Sequence, residues 1–267
     1  MKKLTIALLL FTLSALTSWA GDFQKGVSAH ESGDYTTAFK EFAALAEQGD
    51  VDAQYNLGVM YSKGQGVPQD YKQAVKWYTK AAEQGYVDAQ YNLGLMYDNG
   101  QGVPQDYKQA VKWYTKSAEQ GDAKAQYNLG FMYDNGQGVP QDYKQAIKWY
   151  TKAAEQGHVN AQHSLGIMYK TGQGVPQEYK QAAKWETKAA EQGDAKAQSN
   201  LGFMYDNGLG VPQDNVYAHM WFNLAAANGN ELASKNRDII AKRMTTADIS
   251  KAQSLARECL KKNYKGC

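Results

Sequence analysis

The sequence predicts an all-α fold, a superhelical solenoid of antiparallel helix pairs. Two series of residues carry this prediction, because the five prolines and five of the six tryptophans each recur every 36 residues. The series are Pro68, Pro104, Pro140, Pro176 and Pro212, and Trp77, Trp113, Trp149, Trp185 and Trp221. Fixed periods of about 20 to 50 residues are typical of solenoids, in which each unit buries its apolar face against its neighbours.

Residues 1–20 have the three zones of a secretory signal peptide. Lys2 and Lys3 precede an apolar run from Leu4 to Leu16, and a small-residue cleavage site follows at Ser18-Trp19-Ala20. We therefore expect cleavage between Ala20 and Gly21 and an exported product, periplasmic or secreted. The apolar run is shorter than the roughly 20 residues that a membrane-spanning helix needs, so a membrane-spanning protein is not predicted.

Residues 22–48 resemble a shorter version of the unit that follows. They carry Gly33, Tyr35, Ala38 and Phe42 in the same order as the later copies but without the five-residue loop at 65–69. This segment is interpreted as a tetratricopeptide-like N-terminal unit that shields the end of the stack.

Residues 49–228 consist of five copies of a 36-residue unit, each predicted to form two helices. The first copy carries an apolar stripe with helical spacing: Ala53, Leu57, Met60 and Tyr61. Gly64 is expected to end this helix in the left-handed conformation. Asp70 with Gln73 resembles a capping box that opens the second helix, and Gly85 is expected to stop it. Trp77 lies at the margin of the apolar stripe of the second helix.

Residues 229–267 are predicted to form a C-terminal helical cap. Two further helices are expected, at Glu231–Met244 and Thr246–Lys262, and Thr245 has the spacing of a capping residue. Cys259 and Cys267 are the only cysteines of the chain, so an exported protein is expected to bridge them.

The repeated pattern resembles the signature of a known family. The pattern A-x-x-x-L-G-x-M-Y-x-x-G-x-G-V-P-x-D-x-x-x-A-x-x-W runs from Ala53 to Trp77 and is similar to the Sel-one-like repeat (SLR) family of the tetratricopeptide-like proteins. The resemblance covers the five copies, with local departures such as Glu178 for Asp and Glu186 for the tyrosine at 78. It implies that first helices line a concave side and second helices a convex side.

The charge balance argues against a nucleic-acid partner. Removal of Lys2 and Lys3 lowers Lys+Arg from 29 to 27, equal to the 27 Asp+Glu. Nucleic-acid binding depends on clustered positive charge, which a balanced chain with interspersed acids lacks. Only residues 229–267 are basic, with nine Lys/Arg against four Asp/Glu, and a solvated cap explains that excess.

No catalytic or metal-binding motif is recognisable. The chain lacks G-x-S-x-G, a P-loop, S-x-x-K with a later K-T-G, and H-E-x-x-H. His158 and His163 lie five residues apart, a spacing that does not align two imidazoles on one helical face. Neither an enzymatic activity nor a cofactor or metal is therefore predicted. Some secreted, cysteine-rich proteins similar to this family carry a β-lactamase label, but that label implies cysteine pairs in every repeat, which this chain lacks.

The candidate binding residues lie on the first helices, opposite the apolar stripe that contains Leu57. A face that met only water should be polar, yet this one carries aromatic, aliphatic and amide side chains at repeating positions. They are Tyr55, Tyr91 and Tyr127; Asn56, Asn92, Asn128 and Asn200; and Val59, Leu95, Phe131 and Phe203. Amides can pair with the backbone of an extended chain whatever its sequence. The alternative is that the Tyr55 and Val59 series pack on the neighbouring repeat.

These observations predict an exported scaffold or adaptor that binds a protein or an extended peptide in its concave groove. A carbohydrate-binding module for cell-wall or exported polysaccharide is the main alternative, because tyrosine and tryptophan side chains can stack on sugar rings. A β-lactamase-like enzyme is the third interpretation.

Overall fold

A computed structural model describes residues 23–267, and the predicted signal peptide lies outside them. The regular elements within these residues are α-helices. They are α1 (23–31), α2 (Tyr35–Glu47), α3 (Val51–Lys63), α4 (Tyr71–Glu83), α5 (Val87–Asn99), α6 (Tyr107–Glu119), α7 (Ala123–Asn135), α8 (Tyr143–Glu155), α9 (Val159–Thr171), α10 (Tyr179–Ala190), α11 (Ala195–Asn207), α12 (Asn215–Ala227), α13 (Glu231–Ala241) and α14 (Thr246–Lys261).

The described chain forms two compact units. The first extends up to Ala125 and includes the loop residues Gln137–Val139; the second comprises Gln126–Gly136 and Pro140–Cys267. Helices α2 to α6 pack in series within the first unit. Helices α8 to α13 pack in series within the second, where α14 packs against α12. The predicted all-α architecture of helix pairs packed in series is confirmed.

The glycines and the aspartate predicted to lie at helix ends do so in α3 and α4. Gly64 follows α3 with φ +69°, and Gly85 follows α4 with φ +94°. The Asp70 carboxylate accepts hydrogen bonds from the backbone N–H groups of Lys72 (2.9 Å) and Gln73 (3.1 Å) at the start of α4. Such a cap satisfies donors that have no partner within the helix.

A glycine in the connecting loop permits close contact with the preceding repeat. A Cβ atom on Gly66 would lie 2.3 Å from the carbonyl oxygen of Tyr35, and one on Gly102 would lie 2.3 Å from that of Tyr71. No side chain fits at that distance, so glycine is required at this loop position for the backbones to approach.

The core of each unit contains residues from several consecutive helices. In the first unit, one buried cluster includes Tyr78 of α4, Leu93 of α5 and Trp113 of α6. Trp77, expected at the margin of its stripe, is 3% exposed. The ammonium group of Lys80 lies over the indole, with Nζ 4.1 Å from the ring centroid.

Buried glutamines connect neighbouring repeats, which the sequence analysis did not predict. Gln54 is 4% exposed and donates to the carbonyl oxygen of Ala46 at 3.2 Å, while its own side-chain oxygen accepts from Gln84 Nε2 at 2.7 Å. Equivalent amide pairs, each within one repeat, are Gln120–Gln90 in the first unit and Gln192–Gln162 in the second, both at 2.7 Å. Gln90 and Gln162 in turn donate to a carbonyl oxygen of the preceding repeat, both at 3.1 Å. Satisfied buried amides of this kind hold consecutive repeats in register.

The C-terminal cap is held to the second unit by a disulfide and by its last residues. Cys259 and Cys267 form the predicted bridge, with a Cα–Cα distance of 5.5 Å. The Tyr264 hydroxyl donates to the side-chain oxygen of Asn228 at 3.0 Å, and the backbone N–H of Gly266 donates to the Glu191 carboxylate at 3.0 Å. The tail after α14 therefore folds back onto the last repeats.

None of the helices described between residues 23 and 267 combines the length and the apolar character needed to span a membrane.

Candidate binding site

In the first unit, the predicted tyrosine and valine positions pack partly on the next repeat. The Tyr55 ring stacks on Tyr86 with centroids 4.8 Å apart and lies 6.0 Å from the ring of Tyr78. Tyr55 and Val59 both contact the buried cluster that includes Leu93, and both remain half-buried. Part of each side chain therefore packs on the neighbouring repeat, as in the alternative interpretation, and part remains exposed.

The amide positions in the first unit have two different environments. Asn56 Nδ2 donates to the carbonyl oxygen of Asp52 in its own helix at 2.8 Å. Asn92 instead faces the hydroxyl groups of Tyr55 and Tyr78. Asn92 is thus placed among other hydrogen-bonding groups of α3 and α4.

A pocket of about 240 Å³ opens at this place in the first unit. Its lining residues come from α3, α4 and α5 and from the loop after α5: Ser62, Tyr71, Tyr78, Asn92, Leu95, Met96 and Gln101. Two of the predicted site residues, Asn92 and Leu95, are therefore brought together in one concavity. Its chemistry is mixed, with hydroxyl and amide groups beside an aliphatic wall.

In the second unit, the predicted positions are more exposed. Phe131 of α7 is 42% exposed and Phe203 of α11 is 45% exposed, among the largest exposed apolar side chains described. Tyr127 is half-buried, stacks on His158 with centroids 4.7 Å apart and lies 5.6 Å from the ring of Tyr150. Asn128, beside Tyr127 on α7, is also half-buried.

The fourth repeat contains a buried polar cluster whose role the sequence analysis missed. The Glu186 side chain is fully buried; its carboxylate faces His163 Nδ1 at 3.0 Å and accepts from Asn200 Nδ2 at 2.8 Å. The only sequence signal was that Glu186 stands where earlier repeats have tyrosine. The Asn200 amide, predicted to contact a ligand, uses a donor within the chain.

The titration of this cluster follows from its burial and from its hydrogen bonds. Burial raises the pKa of Glu186, and the hydrogen bonds from His163 and Asn200 only partly oppose that effect. Burial lowers the pKa of His163, but the hydrogen bond with Glu186 and its negative charge outweigh burial, so this pKa is raised overall.

In the second and third repeats, the tyrosine at the Glu186 position donates to a carboxylate. The Tyr114 hydroxyl donates to Asp98 Oδ2 at 3.1 Å, and the Tyr150 hydroxyl donates to Asp134 Oδ2 at 3.3 Å. Burial raises the pKa of Asp98, and the hydrogen bond from Tyr114 partly offsets that increase. Neither aspartate was among the predicted site residues.

Between residues 23 and 267, no group of three or more His, Cys, Asp or Glu side chains is arranged to hold a metal ion. The fold and these surfaces together define a helical-repeat protein whose first helices carry the chemically varied side chains.

Comparison with known proteins identifies the family. The Sel1 repeat family matches five consecutive segments, residues 51–86, 87–122, 123–158, 159–194 and 195–230. The chain therefore belongs to the Sel1 repeat family, as the SLR resemblance predicts. The family generally mediates protein–protein interaction. No curated protein sequence matches the chain significantly.

Two solved structures illustrate the relationship. A protective antigen present in uropathogenic Escherichia coli strains, displaying an SLR fold, shares 38% identity over 96% of this chain with a TM-score of 0.84. This chain covers 56% of that antigen's length. A Sel1 repeat protein from Oxalobacter formigenes shares 37% identity over 81% of this chain and 86% of its own, with a TM-score of 0.73.

Proposed function

We propose that this protein is an exported scaffold or adaptor that binds a protein or an extended peptide on the first-helix faces of its repeats. The observation that carries the proposal is the exposure of Phe131 and Phe203 at the same repeat position. Contiguous apolar surface commonly marks an interaction site, and large side chains near the centre of an interface contribute most of its binding energy. Membership of a family that generally mediates protein–protein interaction supports the same function.

The remaining predicted positions supply amide and aromatic groups on the first helices of each unit. In the second unit Asn128 lies one residue from Tyr127 and three from Phe131 on α7. In the first unit Tyr91, Asn92 and Leu95 occupy the same positions on α5. Amide groups that pair with a ligand backbone would allow different sequences to bind, while apolar contacts would set the affinity.

Export is supported by two features of different kinds. The first 20 residues have the zones of a signal peptide, and Cys259 is bridged to Cys267. Disulfides persist mainly in oxidising compartments such as the periplasm or the exterior of the cell. An intact mass of the protein recovered from the cell envelope should correspond to a chain that begins at Gly21. A mass that retains Lys2 and Lys3 would contradict the proposed cleavage.

The binding function is tested by capture of partners from envelope extract on the immobilised mature protein. Phe131→Ala and Phe203→Ala should each make the binding free energy for the captured partner less favourable by about 1–3 kcal/mol. Lys144→Ala and Lys180→Ala are matched controls, because both side chains are exposed on second helices. If the phenylalanine variants bind the partner as tightly as the lysine variants do, the partner uses another surface.

The carbohydrate alternative gives a different result in a parallel experiment. Sedimentation of the same variants with purified cell wall should leave the protein in the supernatant if its ligand is a polypeptide. Sedimentation that Phe131→Ala abolishes would instead assign the surface to glycan binding.

A further inference from the structure

A carboxylate accepts a hydrogen bond from the same tyrosine position in two repeats of this chain. In the second repeat the hydroxyl of Tyr114 donates to Asp98, and in the third that of Tyr150 donates to Asp134. In the fourth repeat Glu186 replaces the tyrosine, and its carboxylate accepts from Asn200. The fold therefore accommodates a carboxyl oxygen beside this tyrosine hydroxyl in the second and third repeats.

The first repeat has the same donors but no acidic residue at that position. Ser62 stands 36 residues before Asp98, and Asn92 stands three repeats before Asn200. Ser62 Oγ donates to the carbonyl oxygen of Val59 in its own helix at 2.8 Å and lies 3.4 Å from the Tyr78 hydroxyl. The short serine leaves the 240 Å³ pocket described above next to the Tyr78 hydroxyl.

The lining of this pocket suits a carboxylate on a short aliphatic stem. None of its residues is acidic, and Tyr78, Asn92 and Gln101 carry hydrogen-bond donors. Burial is the main cause that raises the pKa of Tyr78 to about 12, so its hydroxyl remains protonated and able to donate at neutral pH. Leu95 and Met96 provide an apolar wall for methylene groups.

The acidic residues of this face do not line the pocket. Asp88 acts on Tyr55, where its negative charge adds to burial in raising the pKa of that tyrosine. The charged neighbours of Tyr86 are likewise Asp52 and Asp88. Tyr78, by contrast, has Ser62, Tyr55 and Asn92 as its polar neighbours. Repulsion by a lining carboxylate therefore does not oppose an anionic group in the pocket.

We infer that the pocket beside Tyr78 binds the carboxylate of an aspartate or glutamate side chain of the bound polypeptide, in the place that Asp98 and Asp134 fill in later repeats. This inference rests on the proposed function and adds a chemical preference to it. The partner segment that reaches the first unit carries an acidic residue, which the donors of Tyr78 and Asn92 select over a neutral amide.

The experiment uses the isotope-labelled mature protein and two small probes, propanoate and propanamide. Nuclear magnetic resonance follows the side-chain amide of Asn92 during each titration. Propanoate should shift this signal in a saturable manner, and propanamide, which lacks the charge, should bind about tenfold or more weakly. Absence of a saturable shift with propanoate, or an equal response to both probes, would overturn the inference.

Three variants make the test specific. Ser62→Asp supplies an internal carboxylate and should abolish the response to propanoate, with thermal stability measured to show that the protein remains folded. Tyr78→Phe removes one donor and should weaken the propanoate response about tenfold. Asp98→Ser should create a second propanoate response, detected at the ring of Tyr114. An unchanged response in Ser62→Asp or Tyr78→Phe would overturn the assignment.

The two experiments distinguish a wrong pocket assignment from a wrong proposed function. If propanoate does not bind but the envelope partner still depends on Phe131, only the pocket assignment is wrong. If the wild-type protein captures no partner that depends on Phe131 or Phe203, the proposed function fails whatever the propanoate titration shows.

Discussion

The fully buried carboxylate of Glu186 lies 3.0 Å from Nδ1 of His163, which is 21% exposed at its side chain. In the first three repeats both positions are tyrosines, so this repeat contains an ionisable pair where the others have two aromatic rings. A charged pair in such a place makes stability depend on protonation.

The first prediction is that this pair makes the protein less stable as the pH rises. Both pKa values are raised in the folded state, from 4.5 for Glu186 and 6.5 for His163. Their contribution is thus fully present below those unfolded-state values and is lost as the pH rises through the folded-state values. Urea unfolding at a series of pH values should show the decrease begin above pH 4.5, where Glu186 loses its proton in the unfolded chain, and continue above pH 6.5, where His163 does so.

The matched variant for this prediction is Glu186→Gln, which keeps a polar side chain of similar size. It should reduce the slope of unfolding free energy against pH, because His163 then lacks a charged partner. An identical slope in the wild-type protein and in Glu186→Gln would show that other groups cause the pH dependence.

The second prediction separates surface from core on α7. Phe131→Ala should lower the free energy of unfolding by about 1 kcal/mol, because the residue is 42% exposed and loses only part of a full apolar burial. Leu129→Ala, at a residue 1% exposed on the same helix, should cost about 2–5 kcal/mol. Equal destabilisation in a denaturant titration would mean that Phe131 is a core residue and is unsuitable as a binding probe.

The third prediction concerns the glycine that faces a tyrosine ring in each of the first three repeats. Replacing glycine by alanine inside a helix normally stabilises it by about 1 kcal/mol. At Gly94, however, the added Cβ would lie 2.6 Å from the Tyr114 ring. The cost of overpacking should therefore exceed the gain in helix propensity, and Gly94→Ala should lower the free energy of unfolding by about 1–3 kcal/mol. Asn99→Ala, at an exposed position of the same helix, serves as the control for a thermal-unfolding measurement. A stabilised Gly94→Ala would disprove the close contact.

The fourth prediction is that the disulfide stabilises the cap locally. Cys259 and Cys267 are eight residues apart, and closing a short loop of this kind contributes about 2–3 kcal/mol at most. Cys267→Ser should therefore increase amide hydrogen exchange in α14 while leaving α2 to α6 unchanged. Lys265→Ser, which keeps the bridge, is the control. Uniform acceleration across both units, or none in α14, would contradict a local role.

Several features of the structure follow from local sequence patterns. The 36-residue spacing of Pro68 and its counterparts predicts the number of repeats, and the family match places five repeats at the same spacing. Gly64 and Asp70 mark helix ends because left-handed backbone and capping hydrogen bonds involve only nearby residues. Exported cysteines that are few and close together similarly predict the bridge.

The candidate site was less predictable, because its side chains lie between helices. Helical spacing puts Tyr55 and Val59 opposite Leu57, but it does not show that their outer faces pack on α4 and α5. Polarity alone would place Gln54 in solvent, whereas its side-chain amide forms hydrogen bonds with Ala46 of the preceding unit and Gln84 of its own repeat. The partners of a polar side chain decide whether burial is tolerated, and those partners are distant in sequence.

The sequence by itself determined the repeat, the helix ends and the face on which the unusual side chains lie, since each depends on neighbouring residues or on a fixed period. Only the tertiary structure decided that Glu186 is buried with His163 and Asn200 and that a pocket opens beside Tyr78. Both depend on residues from two or three helices meeting at one place. The hydrogen-bond partners and the free space there are set by packing across repeats, which no single helix specifies.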